Sequence, residues 1–467
     1  MVFSSLTFLF FFLPLTLLLC FIGRNRVYRN IVLLLASLVF YSWGEPRYVL
    51  LLLVTALIAW LAGLLMGRFP ARKKLFMVLA AVLLVGDLAV FKYLNFFAVN
   101  LSALLGLPNP LRQIALPIGI SFFTFQILSY VIDVYRGKVA VQKNYFRLLL
   151  YVSFFPQLIA GPIVRYETVE RELAERRESL EDAFAGAARF IVGLAKKLIL
   201  ANGAAQVVDM IYGGSPALYG SAMYWLAAVA YALQIYFDFS GYSDMAIGLG
   251  RIFGFHFLEN FNDPYAATSV TDFWRRWHIS LSSWFRDYVY IPLGGNRVSK
   301  ARWMLNLLVV WALTGFWHGA EWNFLLWGLY YGLLLMAEKL ALLRFLDKLP
   351  GLLRRVYTLL LVVVGWVIFF HTDLSRLGLA LGQMFSFAPT RWQDLLFSNT
   401  ALFKYLLYIP LGILCCVPGW KRLGTRLKAR APLAARLLGC VALAALLLLC
   451  LAYVLSSSYN PFIYFRF

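Results

Sequence analysis

Long uncharged apolar runs constrain this chain more than any other feature. Residues 2–23, 48–67 and 437–465 contain no Asp, Glu, Lys or Arg. Each covers the about 20 residues a helix needs to cross the hydrocarbon core of a bilayer. A soluble domain also carries roughly a quarter of its residues as charges, whereas here only 14% are charged and 62% are hydrophobic. The usual water-facing surface is missing, so the chain is read as an integral membrane protein.

The first run has no basic region before it and no A-x-A-like site after it, so it is expected to stay as a helix and not to be removed as a signal peptide. Five cysteines (Cys20, Cys415, Cys416, Cys440, Cys450) all lie in apolar segments and outline neither a disulfide framework nor a CxxC metal site. The formal charge of +21 does not argue for nucleic acid, because basic loops in a membrane protein chiefly set orientation.

Hydropathy and helix breakers place spans near 3–22, 30–43, 48–66, 75–97, 114–134, 145–163, 184–212, 221–240, 303–317, 321–343, 356–371, 402–418 and 435–455. No repeat, low-complexity linker or soluble domain interrupts them. The expectation is one membrane domain: N-terminal helices over 1–143, a core over 144–343, and C-terminal helices with an aromatic tail over 344–467. Arg24 to Arg29 and Arg68 to Lys74 make basic loops, which puts the N-terminus outside and these loops inside. The alternation then conflicts with the charged stretch 165–182 unless residues 145–163 form a broken, re-entrant segment. Pro156, Gly161 and Pro162 supply the break, and such backbone is tolerated where protein buries it. Spans 303–317 and 321–343 similarly form a hairpin that enters from the cytoplasm and returns. Only Arg47, Arg112, Arg376, Arg391, Lys404 and Arg466 of the 43 basic residues then face outward, and both termini are extracytoplasmic.

Four histidines are available: His256, His278, His318 and His371. His318 falls in the hairpin turn, in Gly315-Phe316-Trp317-His318-Gly319. An ionisable residue at membrane depth is a functional hypothesis by default, and a neutral imidazole is a suitable general base. The competing reading is a packed ring bonded to a carbonyl or to Glu321. On a helix starting at Trp274, the residues Trp277, His278, Leu281 and Phe285 share a face with it. This predicts one amphipathic helix at the cytoplasmic interface, whose Arg275, Arg276 and Arg286 either bind the phosphates of a soluble cofactor or anchor the helix. Asp238, Asp244, Glu259, Asp263 and Asp272 are expected mainly in ion pairs. No HExxH, CxxC, GxxxxGK[ST] or GxSxG pattern occurs, so no metal is expected. The tail Ser458 to Phe467 is aromatic, either as an interfacial belt or as a segment that reinserts and places Tyr464 as a hydroxyl.

These motifs together resemble the membrane-bound O-acyltransferase (MBOAT) family, in its alginate O-acetylation branch. The matching elements are Ser153-Phe154-Phe155-Pro156-Gln157 through Ile163, then Asp238-Phe239-Ser240-Gly241-Tyr242-Ser243-Asp244, then Glu259-Asn260-Phe261-Asn262. They continue with Asp272 through His278, Tyr290 through Arg297, Gly315 through Gly319, and the aromatic ending. The resemblance implies an all-α polytopic fold of roughly 11 transmembrane helices, with re-entrant and interfacial helices around a central tunnel. It implies that His318 is the catalytic histidine, His278 the second active-site histidine and Tyr464 a candidate acyl relay. The candidate donor-binding residues are Arg275, Arg276, Arg286, Trp277 and Trp317. The donor would be cytoplasmic acetyl-CoA, with no permanently bound cofactor. The site would be the bacterial cytoplasmic membrane, the acceptor an extracytoplasmic polysaccharide such as an alginate-like polymer or peptidoglycan, and the partner a separate SGNH-type protein. Two other readings stay open: transfer of D-alanine to a cell-wall polymer, and a lipid-linked saccharide transporter, which would show two related halves.

Overall fold

The computed structural model describes residues 1–108, 111, 114–216, 218–392, 400–456 and 459–461. Among them every regular element is helical. Five helices are long and apolar enough to cross a membrane: Val49–Arg68, Pro70–Leu105, Trp322–Leu346, Gly351–Phe370 and Pro432–Ser456. Phe8–Ile22 and Thr400–Cys415 are shorter apolar helices. This is a multi-pass membrane protein.

The chain divides into two compact units. The first comprises Met1–Phe190 and Tyr242–Leu258, and its core is aromatic. Phe3 stacks on Tyr242 with centroids 4.6 Å apart, and Phe12 meets Phe155 edge-on at 5.3 Å. Phe155 belongs to the expected broken segment. Helix Tyr145–Ser153 stops at Phe154 (ψ 111°), a single turn Phe155–Leu158 follows, and the chain then runs irregularly to Tyr166. Protein groups satisfy this interruption. Ser37 Oγ accepts from Phe155 N at 3.1 Å, and Tyr151 OH donates to Val164 O at 2.8 Å. Buried irregular backbone is stable only with such partners.

The second unit comprises Ile191–Gly241 and Glu259–Phe467. Its centre is the hairpin Lys300–His318 and Trp322–Ala337. Two glycines set how closely these helices cross. A Cβ on Gly315 would lie 2.2 Å from Phe324 O, and one on Gly328 would lie 2.3 Å from Trp311 O. Small residues at a crossing let backbones touch where lipid offers no hydrophobic drive. Around the crossing pack Trp274, Trp327, Tyr331, Trp366 and Phe369, all buried. Asn323, fully buried, donates to the Ile368 and Phe369 carbonyls and so satisfies the end of helix Gly351–Phe370.

Two expectations are corrected. The span read as 221–240 continues as one helix to Ile252, because the Asp238 to Asp244 motif is mid-helix and its carboxylates are paired there. The single interfacial helix through Trp274–Phe285 does not exist. Helix Val270–Arg276 ends, Trp277 is extended, and a new helix starts at Ile279. The face bearing Trp274, Trp277, His278, Leu281 and Phe285 is buried in protein, which replaces lipid as the partner of those side chains.

Among the described residues, five turns widen to π geometry. Three of them, Ala89–Tyr93, Lys196–Ala201 and Glu338–Leu342, hold the buried charged residues Lys92, Lys197 and Glu338. Such turns concentrate at functional positions.

Candidate active site

His278 and His318 come together in the second unit, their ring centroids 6.4 Å apart. Their segments reach this point by different means. His318 is the last residue of helix Lys300–His318 and is 7% exposed. Trp327 packs edge-on to its ring at 5.1 Å and Phe369 at 5.3 Å. Trp317 sits 6.0 Å from the His278 ring.

His278 lies at the break between two short helices, with φ 45° and ψ 54°. A non-glycine residue in the left-handed region costs about 1–3 kcal/mol and persists only where its surroundings over-determine it. Asn260 supplies the determination. Its backbone carbonyl accepts from Ile279 N at 3.0 Å, and its Oδ1 accepts from Ser280 N at 3.2 Å and Ser280 Oγ at 2.9 Å. The bond from a backbone N–H fixes which Asn260 atom is oxygen. The same Oδ1 is 3.2 Å from His278 Nδ1, so Nδ1 carries the hydrogen and donates. A neutral ring in this tautomer presents Nε2 as an acceptor. Nε2 is buried and has no hydrogen-bond partner among the described residues.

The helix leading into the break is held at its start. Ser269 caps it by accepting from Asp272 N at 3.0 Å, and Asp272 accepts from Thr268 N. Glu338, fully buried, accepts from Val270 N at 2.7 Å, Thr271 N at 2.8 Å and Thr271 Oγ1 at 2.7 Å. A carboxylate suits a helix N-terminus, where unpaired N–H groups gather.

A family model for membrane-bound O-acyltransferases matches residues 138–381, a span that includes both histidines and every group just described. The chain is a membrane-bound O-acyltransferase. This acyltransferase is 43% identical over 402 residues to a probable alginate O-acetylase of Azotobacter vinelandii, covering 85% of this chain and 80% of that one. It is 34% identical over 411 residues to the peptidoglycan O-acetyltransferase of Helicobacter pylori, covering 80% and 78%. It is 31% identical over 238 residues to the teichoic acid D-alanyltransferase of Bacillus subtilis, covering 47% and 58%.

Within the acyltransferase, the other candidate residues divide. Trp277 is buried against Trp366 at 4.7 Å and Phe261 at 5.0 Å, so it is part of the core. Arg276 pairs with Asp272 at 2.9 Å, and Arg286 with Asp287 at 2.7 Å. Arg275 is exposed and close enough to Lys339 for the two charges to repel. Tyr464 lies outside the described residues. Of the carboxylates expected in ion pairs, Asp272 is the Arg276 partner just named, Asp238 pairs with Lys197 at 2.6 Å and Asp244 with Arg189 at 2.8 Å. Sequence reasoning missed Asn260, Glu338, Trp327 and Phe369 as site-builders. The signal for Glu338 was present as an acid inside an apolar span; the others look like ordinary loop or core residues.

Proposed function

We infer that this acyltransferase takes the acetyl group of cytoplasmic acetyl-CoA and passes it across the bacterial cytoplasmic membrane for O-acetylation of an extracytoplasmic polysaccharide. The observation that carries the reading is the pair of buried imidazoles 6.4 Å apart in an otherwise aromatic shell. The names of the relatives that cover most of the chain favour acetyl as the group and a polysaccharide as the destination.

The proposed reaction begins with the thioester carbonyl beside the two rings. A hydroxyl, either on Tyr464 or on an external acceptor, loses its proton to His318 as its oxygen attacks the carbonyl carbon. The tetrahedral intermediate collapses, the carbon–sulfur bond breaks, and the leaving thiolate takes the proton back from the imidazole. His278, whose Nδ1–H Asn260 holds, presents Nε2 as a hydrogen-bond acceptor that orients the incoming hydroxyl, while the proton itself passes through His318. Trp327 packs on His318, and its buried indole N–H has no partner among the described residues; it is the donor proposed for the developing oxyanion. Arg275, exposed on helix Val270–Arg276, is the residue proposed to meet the donor phosphates. Delivery to the polymer falls to a separate extracytoplasmic protein of SGNH type.

The test is acetyl-group labelling of purified protein with radiolabelled acetyl-CoA, using wild type, His318→Ala and Tyr464→Phe. Turnover or acetyl-protein in wild type that is lost in His318→Ala is expected. Equal labelling in both would refute the assignment. Labelling by a D-alanyl carrier protein, with none by acetyl-CoA, would favour the D-alanyl reading that the Bacillus relative raises.

A further inference from the structure

Two polar groups of the second unit stand outside the chemistry above. Tyr212 is the last residue of helix Asn202–Tyr212, and His371 follows the last turn of helix Gly351–Phe370. Their rings meet with centroids 4.7 Å apart, and Phe370 packs on both, at 5.1 Å and 4.9 Å. The Tyr212 hydroxyl and His371 Nε2 are buried, yet neither has a hydrogen-bond partner among the described residues. A buried polar atom left unpaired costs about 1–3 kcal/mol. Phenylalanine at either position would fill nearly the same space without that cost. Packing accounts for the rings and leaves the two polar atoms unexplained.

Access distinguishes this pair from a sealed core. Both groups stand where a helix ends, and the residues next along the chain are exposed: Gly213 after Tyr212, and 372–376 after His371. The two connections belong to one end of the unit. Ser221 N donates to the Ala388 carbonyl at 2.9 Å, and Arg391 N to the Leu218 carbonyl at 3.3 Å. Trp225 Nε1 donates to the Met384 carbonyl at 2.9 Å, and the neighbouring Tyr224 packs on Tyr212 at 5.9 Å. Arg354 and Arg355 lie at the opposite end of helix Gly351–Phe370. The loop charges read Arg376 and Arg391, on the near side, as extracytoplasmic. The His318 ring is close along the same helix, since Phe369, two residues before His371, packs on it at 5.3 Å.

The ligand class follows from the two atoms. A neutral imidazole nitrogen gives or takes one hydrogen bond according to tautomer, and a phenol hydroxyl can do both. An alcohol fits either case, because its oxygen accepts while its hydrogen donates. A carboxylate accepts only and matches one tautomer alone. The two atoms are not bonded to each other, and neighbouring hydroxyls on one sugar ring can serve both. We propose that Tyr212 and His371 form a binding site for saccharide hydroxyls, which holds a sugar unit of the acceptor polymer one helix end away from His318. The sugar's place as acceptor rests on the acyl-transfer reading above; the binding itself does not.

The experiment uses the full chain in lipid nanodiscs with isotope-labelled histidine, followed by nitrogen NMR. The chain has four histidines, so the signals missing from His371→Phe assign His371. Wild type is titrated with methyl mannoside, with N-acetylglucosamine, and with fully O-methylated methyl mannoside, which has no hydroxyl hydrogen to give. The expected result is a saturable shift of the His371 Nε2 signal with at least one free sugar and none with the methylated one. Affinity should be about tenfold weaker in Tyr212→Phe, the scale of one lost hydrogen bond, and this variant should melt at or above the wild-type temperature, because the hydroxyl it loses has no partner. No saturable shift with either free sugar, an equal shift with the methylated sugar, or undiminished affinity in Tyr212→Phe would overturn the site. The comparison of sugars needs wild type alone and decides the proposal should the variant not fold. Acetyl labelling of the same wild-type sample separates the two readings: sugar binding without acetyl transfer defeats the acetylation reading and leaves the site standing.

Discussion

The two histidines of the site sit in segments built on opposite principles. His318 ends an unbroken helix whose position follows from glycine crossings with its partner helix. His278 occupies a strained break, held by hydrogen bonds from a residue 18 positions earlier. A helix end needs only apolar packing to be placed, and it tolerates changes that keep volume. A strained residue needs a polar network that agrees at every bond, and it fails when one member leaves. The first arrangement positions a ring in space; the second also selects which ring nitrogen carries the hydrogen.

The largest expected effect is at His318. His318→Ala should lower acetyl transfer by about 10³-fold, the middle of the range for a general base, with folded yield and melting temperature preserved. A residual rate above a tenth of wild type would remove this ring from the chemistry.

Asn260→Leu should lower transfer by about 10- to 100-fold, the penalty seen when an orienting partner of a functional histidine is lost. Ser280→Ala should cost much less, because Ser280 N still fixes Asn260. The contrast between the segments fails if the Asn260 and Ser280 variants lose activity equally.

Stability should separate the segments differently. Gly315→Ala puts a methyl group 2.2 Å from the Phe324 carbonyl oxygen, a backbone atom that cannot swing away. The hairpin must open, at a cost of about 1–3 kcal/mol, visible as a lower melting temperature. Glu338→Gln keeps one oxygen and leaves one of the two buried N–H groups of Val270 and Thr271 without an acceptor, at about 1–3 kcal/mol. Transfer should fall further than stability predicts for Glu338, and in proportion to it for Gly315. Equal proportionality in both would mean that Glu338 only supports the fold.

Much of this was legible in the sequence, and the illegible part follows the same division. Apolar length gave the spans, and Pro156 with Gly161 gave the interruption after Ser153, because these signals are local. Gly315 and Gly319 around His318 marked a close approach before any partner was known. The break at His278 was hidden because Trp274, Trp277, His278, Leu281 and Phe285 have helical spacing, and spacing reports which side chains are buried without reporting whether the backbone between them is continuous. Asn260 and Glu338 act across 18 and about 68 residues of sequence, and no single-sequence pattern carries a distance of that kind. The ion pairs of Arg276 and Arg286 were readable locally, since each has an acidic neighbour within four residues along the chain.

The smallest expected effect probes the outward side of the His278 segment. Arg275 and Arg276 are adjacent on one short helix, yet Arg276 is tied to Asp272 and to the Asn262 carbonyl, whereas Arg275 is exposed. If the exposed guanidinium meets donor phosphates, Arg275→Gln should raise the KM for acetyl-CoA about two- to fivefold, the scale of a solvent-screened charge contact, and leave kcat and melting temperature in place. Added salt should raise the wild-type KM and narrow the gap between the two proteins. Arg276→Gln should do the reverse, lowering the melting temperature with KM unchanged, because it breaks a bond inside the segment that carries His278. A KM effect of equal size in both variants would show that the two arginines act as one diffuse basic surface, and the distinction between an inner, structural face and an outer, donor-facing one would be lost.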